Sequence, residues 1–301
     1  MSLFDRLQGA KSEKINEQKQ AGAAFLAENK SKEGVTGLPF TSAEVITSQF
    51  ALGLLGVSLI NLLTKNKQAQ KATKQEISKL MLAGTSMGLT SVFYYLAVKF
   101  IPVSVAIVLL MQTVWMAVLL EAALEKKFPS LLKIISVILV LAGTVLAANL
   151  STDIHALDWR GLLLGLCAAA SFTTTMFAAN RIAPLLPPGK RSFYMLCGGA
   201  VIVVIFAIAT QRTPYNYDIF FKWGILLSVF GTILPPFLLN AGFPKTGIGL
   251  GSIVSALELP VSVGMAWVFL HEVVSFTQWI GIGIILFAIV LMNYKSIRLR
   301  G

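Results

Sequence analysis

Nine stretches of this chain run without charge for about the thickness of a bilayer core: 45–64, 80–98, 100–120, 134–152, 161–180, 192–211, 223–244, 246–271 and 273–294, the eighth interrupted only by Glu258. A helix needs about 20 apolar residues to cross hydrocarbon. A soluble bundle would show a stripe, and these runs are apolar all round. A membrane β-barrel would show short alternating segments instead. In lipid a helix satisfies its own backbone, so each run reads as one spanning helix. The fold class is therefore an all-α polytopic membrane protein. Charged residues make up 13% of the 301, against roughly 25% in soluble proteins. That excludes a disordered chain, a nucleic-acid-binding domain and an ordinary soluble enzyme, and makes membrane lipid an obligate partner.

The net charge of +11 is chiefly a record of orientation. Of the 25 Lys and Arg, 15 fall in the connections on one side of the membrane and 4 on the other. The basic side is expected to be cytoplasmic, with the C-terminus, in a bacterial-type plasma (inner) membrane. Nine spans then put the N-terminus outside. Residues 1–40 are polar throughout, and their longest uncharged stretch, Gln20–Ala27, is too short to cross. Cys167 and Cys197 sit inside apolar runs with no metal-ligand partner near them, and read as small buried residues.

An internal repeat is visible. Residues 94–146 and 237–291 both set a Gly- or Pro-marked turn before a long helix, then an acidic residue near its end, a short turn and another apolar helix. The first copy contains Pro102, Gln112, Trp115, Glu125 and Gly143; the second contains Pro244, Glu258, Pro260 and Glu272. By the charge count the two copies face opposite ways, as the halves of many secondary transporters do. The stretch Ser255-Ala256-Leu257-Glu258-Leu259-Pro260-Val261, followed by Glu272, Gln278 and Gly281, resembles the end of an EamA domain. Tyr94 to Gly143 resembles the matching end of a first one. The resemblance covers about residues 40–294 and points to the drug/metabolite transporter superfamily. It implies ten helices in two inverted five-helix halves, of which this chain shows nine. The expected organisation is a polar segment 1–40, a first half 41–152 and a second half 153–301 with a short basic tail. The first helix of the family is missing or replaced, since the segment before Glu44 is hydrophilic.

The candidate site residues are polar or helix-bending groups at membrane depth. Glu258 is the one acid near the middle of a run, suited to bind a cation or carry a proton. Pro260 has no N–H, which is expected to leave the Ala256 carbonyl free. Pro235 and Pro236 do the same for Gly231 and Thr232 and predict a kink, with Asn240 one turn further on. Ser86, Thr90 and Tyr94 recur at helical spacing, while Gly84 and Gly88 suit a close helix contact. Gln112 and Trp115 share one helix face at mid-depth. Ser171 heads a run of hydroxyl residues in the fifth span. Glu44 is a candidate at the outer face, and Ser275 is a candidate N-cap for the last helix.

There is no phosphate-cradling glycine motif and no ATP-binding segment, so no cofactor or metal is expected. The function expected from the resemblance is secondary transport of a small molecule such as an amino acid. Export by alternating access around a midplane cavity is the leading form, with a proton as a candidate coupling ion. The alternative is a non-transporting sensor or scaffold derived from a transporter that lost its first helix. Substrate identity and oligomeric state are not legible.

Overall fold

The computed structural model describes residues 40–64, 72–148, 158–270 and 274–298. Among the described residues all regular structure is helical, and every uncharged run becomes one helix, straight or broken; six of these are long and apolar enough to cross a membrane. In chain order the helices are α1 (Ser42–Leu63), α2 (Lys74–Ala97), α3 (Val103–Leu110, continued by Thr113–Glu125), α4 (Leu131–Ala147), α5 (Trp159–Arg181), α6 (Pro188–Thr210), α7 (Phe220–Thr246), α8 (Ile248–Ser255, continued by Glu258–Leu270) and α9 (Phe276–Arg298). The leading segment 1–39, His155, His271 and Glu272 lie outside the described residues.

The helix starts follow local chemistry. Thr41 and Glu44 form a capping box on α1, and Thr73 and Glu76 form another on α2. Each box satisfies two backbone donors that a helix start leaves open. Ser130 caps α4 and Asp158 caps α5. Ser275 caps α9 as expected: its Oγ accepts from the Gln278 N–H at 3.3 Å, and the Gln278 side chain accepts from the Ser275 N–H at 2.9 Å. Gly247, at φ +83°, makes the turn from α7 into α8, a backbone conformation that favours glycine.

Two spans are broken at mid-depth. In α3 the Gln112 N–H reaches the Leu109 carbonyl and the Val114 N–H reaches that of Met111, both at 3.0 Å. In α8 the Leu257 N–H reaches Val254 at 3.0 Å and the Leu259 N–H reaches Ala256 at 3.3 Å. Each break is thus one tight turn of three-residue spacing. It corrects one expectation: Leu259 occupies the Ala256 carbonyl that Pro260 cannot serve, so that acceptor is not free. In α7 the paired prolines act differently. With Pro235 and Pro236 unable to donate, the ladder widens into a π-turn over Val229–Ile233, where the Leu234 N–H reaches back to Val229. The kink expected there takes this form.

The repeat is regular in three dimensions. The two pieces of α3 and the start of α4 (Val103, Thr113, Leu131) have counterparts in Ile248, Glu258 and Phe276, each 145 positions on. The halves interleave: α2 lies between α5 and α6, α1 packs on α6 and α7, and α4 pairs with α9. Where α2 crosses α6 the backbones touch. A methyl group at Gly84 would overlap the Met195 carbonyl, and one at Gly88 the Gly199 carbonyl. The close contact expected of these glycines is therefore present. A core of Met111, Val114, Val140, Ile253, Ala256 and Ile285 joins α3, α4, α8 and α9.

Candidate functional site

An uncharged cavity of about 120 Å³ lies between α1, α2, α5 and α7, helices drawn from both halves. Its polar wall is Gln49, Thr90, Ser91, Thr175 and Thr232; Pro235 and Pro236 close one side. Phe50, Met87, Phe172 and Leu239 supply apolar surface. Two of the hydroxyls are held by their own helices. Thr90 donates to the Ser86 carbonyl at 2.8 Å, and Thr175 to the Ser171 carbonyl at 3.2 Å. Ser86 and Thr175 also meet across the α2–α5 contact at 2.7 Å. Thr232 Oγ1 is different: it is buried and has no partner among the described residues. It sits inside the π-turn, beside the carbonyl of Gly231 that Pro235 cannot serve. Gln49 reaches from α1 so closely over Gly231 that a methyl group there would overlap its amide. The cavity therefore offers an amide, several hydroxyls and loosened backbone, which suits a neutral or zwitterionic polar group held by hydrogen bonds.

The other residues marked in the sequence fall into four separate places. Tyr94 and Tyr95 stack edge to face at 6.1 Å on α2, and the Glu258 carboxyl lies within electrostatic reach of Tyr94. The side chain of Glu258 is exposed. Gln112 and Trp115 close on each other, the indole N–H donating to the Gln112 oxygen at 2.9 Å, while the Gln112 amide donates to the Val108 carbonyl at 3.0 Å. Trp115 then packs against the α3/α4/α8/α9 core. Asn240, 2% exposed, donates to Ser192 Oγ at 3.1 Å and to the Pro236 carbonyl at 2.9 Å. Ser171 acts through its carbonyl, which holds Thr175 on the cavity wall.

Glu44 is 2% exposed and serves both as cap and as cross-tie. It accepts from the Thr41 N–H at 2.8 Å, the Gln211 amide at 3.0 Å and the Asn216 N–H at 2.9 Å. Tyr215 adds a bond to Thr47 at 2.7 Å, and burial pushes its phenol above the usual range. This cluster ties the start of α1 to the α6–α7 connection, so it joins the two halves at that end.

Three polar groups escaped the sequence reading, one in the cavity wall and two that anchor helices. Gln49 is a lone amide in an apolar run. Arg191 entered the orientation count as a loop charge, yet it is fully buried. It donates to the carbonyls of Ile182 (3.1 Å), Asn240 (2.7 Å), Ala178 and Ala179. Pro244 explains one of these, since it leaves the Asn240 carbonyl without a helical donor. Glu121 falls just past the third run. It takes a bond from Lys133 on α4 and one from the Gly249 N–H at 3.2 Å, at the start of α8. An anion at a helix N-terminus is favourable, and here it joins the halves at the basic end.

Comparisons with known proteins agree with this architecture. The sequence profile of the EamA-like transporter family matches residues 31–149 and 159–294. Residues 1–40 match a domain described as amino-terminal to FKBP-type peptidyl-prolyl isomerase. An uncharacterized transporter of Synechocystis sp. is 24% identical over 237 residues, 77% of this chain and 71% of that protein. One crystal structure of a protein superposes with a TM-score of 0.71, over 89% of this chain and 92% of the other, at 15% identity.

Proposed function

The chain belongs to the EamA-like transporter family, and on that premise we propose that this membrane transporter exports a small, hydrogen-bonding metabolite such as an amino acid by alternating access. The observation that carries the proposal is the uncharged polar cavity between the halves, with Thr232 unpartnered in its wall. Transport would run with the halves 41–152 and 153–301 rocking about that cavity. The basic face, and with it the C-terminus, would be cytoplasmic in a bacterial-type plasma membrane. Energy would come from a substrate or proton gradient. Glu258, at membrane depth beside Tyr94, is the candidate proton carrier.

The test is uptake and counterflow in proteoliposomes loaded with a mixture of amino acids and other metabolites. Gln49→Leu and Gly231→Ala are each expected to lower flux at least about tenfold, roughly one hydrogen bond's worth of binding, with thermal stability nearly unchanged. Gly231→Ala works by displacing the Gln49 amide, the far end of a flexible side chain. Wild-type flux in both variants would remove this cavity from the pathway. Binding of a metabolite without translocation would favour the sensor reading instead. Glu258→Gln is expected to insert normally and to lose dependence of flux on a proton gradient; unchanged pH dependence would clear Glu258 of coupling.

A further inference from the structure

The repeat exposes an asymmetry around α5. In the first half α5 covers a continuous seam on α2 and α3. Its Gly165 lies against Leu109, its Thr173 hydroxyl meets Thr113 at 2.8 Å, and its Thr175 hydroxyl meets Ser86 at 2.7 Å. The counterparts of these three seam residues, 145 positions on, are Val254, Glu258 and Gly231. Gly231 lies under the Gln49 amide of α1, in the cavity wall, whereas Val254 and Glu258 are exposed. The exposure continues along α8 at helical spacing: Val254 is 38% exposed, Val261 53% and Val268 53%, with Glu258 between the first two. Spacings of four, three and seven residues describe a helix-packing seam. A carboxylate in the middle of it, at membrane depth, needs a donor or a proton.

We propose that this seam docks a transmembrane helix supplied by another polypeptide. Its chemistry follows from the pairing α5 already makes: a small residue level with Val254 and a hydrogen-bond donor level with Glu258. Two other occupants fit worse. The chain's own stretch in the α5 register is 14–36, which carries seven charges and would set Glu28 opposite Glu258. A second copy meeting this seam about a two-fold axis would bring Glu258 toward Glu258. The proposal concerns binding alone and does not depend on the transport reading.

The probe is a synthetic helix with the sequence of residues 158–182, labelled with a fluorophore at its end. The full chain, in lipid nanodiscs, carries photoreactive p-benzoylphenylalanine in place of Val261. Saturable crosslinking of the peptide is expected there, and none when the photoprobe replaces Val201 on the lipid face of α6. A peptide with Thr173→Val is expected to bind about tenfold more weakly, the scale of one interhelical hydrogen bond. Glu258→Leu in the full chain should abolish that difference. A monodisperse elution profile for each variant controls for misfolding. Crosslinking of Val261 to lipid alone, or to a second copy, would overturn the proposal, as would equal binding of both peptides to the unaltered Glu258 chain.

Discussion

Gly198→Val is expected to abolish the folded state. Any Cβ at Gly198 would overlap the Met81 carbonyl, and the same crossing holds Gly84 against Met195 and Gly88 against Gly199. These are backbone atoms, so no rotamer change relieves the overlap. Overpacking a tight core costs about 1–3 kcal/mol when side chains can yield. Here the two helix axes must move apart, and the α2–α6 contact on which α1 and α5 also rest goes with them. The loss should exceed about 3 kcal/mol, beyond that range. Fluorescence-detected size exclusion and thermal unfolding in detergent measure it. Gly283→Ala is the control: nothing lies within 4 Å of a methyl group there. It should be neutral or stabilising by about 0.5–1 kcal/mol, as expected for glycine replaced by alanine inside a helix. A well-behaved Gly198→Val protein with wild-type melting would refute the crossing geometry.

Arg191→Met should cost about 3 kcal/mol or more, with each buried carbonyl left bare costing about 1–3 kcal/mol. No carboxylate pairs with this guanidinium among the described residues. Its counter-charge is the carbonyl end of α5, where Ala178, Ala179 and Ile182 present the negative pole of the helix, together with the Asn240 carbonyl. One planar fork thus joins α5, α6 and α7 at a single point. Arg191→Lys keeps the charge but offers a compact ammonium that cannot span the same acceptors. It should recover less than half of the lost stability. The readout is the melting temperature of the detergent-solubilised protein. A loss under about 1 kcal/mol for Met, within the worth of a single ordinary hydrogen bond, would mean that water serves these carbonyls.

Much of the architecture was legible because lipid leaves few choices. An apolar run of about 20 residues can satisfy its backbone there only as a helix, and all nine runs did so. The inverted repeat showed as a loose pattern of turns and acids; its constant offset emerged only in the folded chain. The mid-depth break in α3 had no proline or glycine to announce it at Met111 or Gln112. The candidate site was legible in part. Thr90, Pro235 and Pro236 line the cavity, but Gln112 and Trp115 satisfy each other and Asn240 belongs to the Arg191 anchor. A polar residue in an apolar run signals a partner, and the sequence does not say whether that partner is ligand or protein. Gln49 and Thr232 illustrate the converse, since each resembles many solvated or back-bonded groups until the fold brings them together.

The glycine-marked crossings between the halves differ in compliance. At α2–α6, and at α4–α9 between Gly143 and Gly281, backbone meets backbone, whereas at α1–α7 a methyl at Gly53 would meet the side chain of Thr232, and one at Gly56 that of Ile233. Side chains can yield by changing rotamer, while main chains in contact cannot interpenetrate. Under alternating access, relative shear of the halves would therefore meet more resistance where backbones touch than at α1–α7. In the proposed rocking, these backbone contacts would serve as the fixed points and α7, with its π-turn, as the element that moves. Thr232 lies both at the α1–α7 crossing and in the cavity wall, so in the proposed cycle any displacement of α7 would reshape the cavity in the same movement.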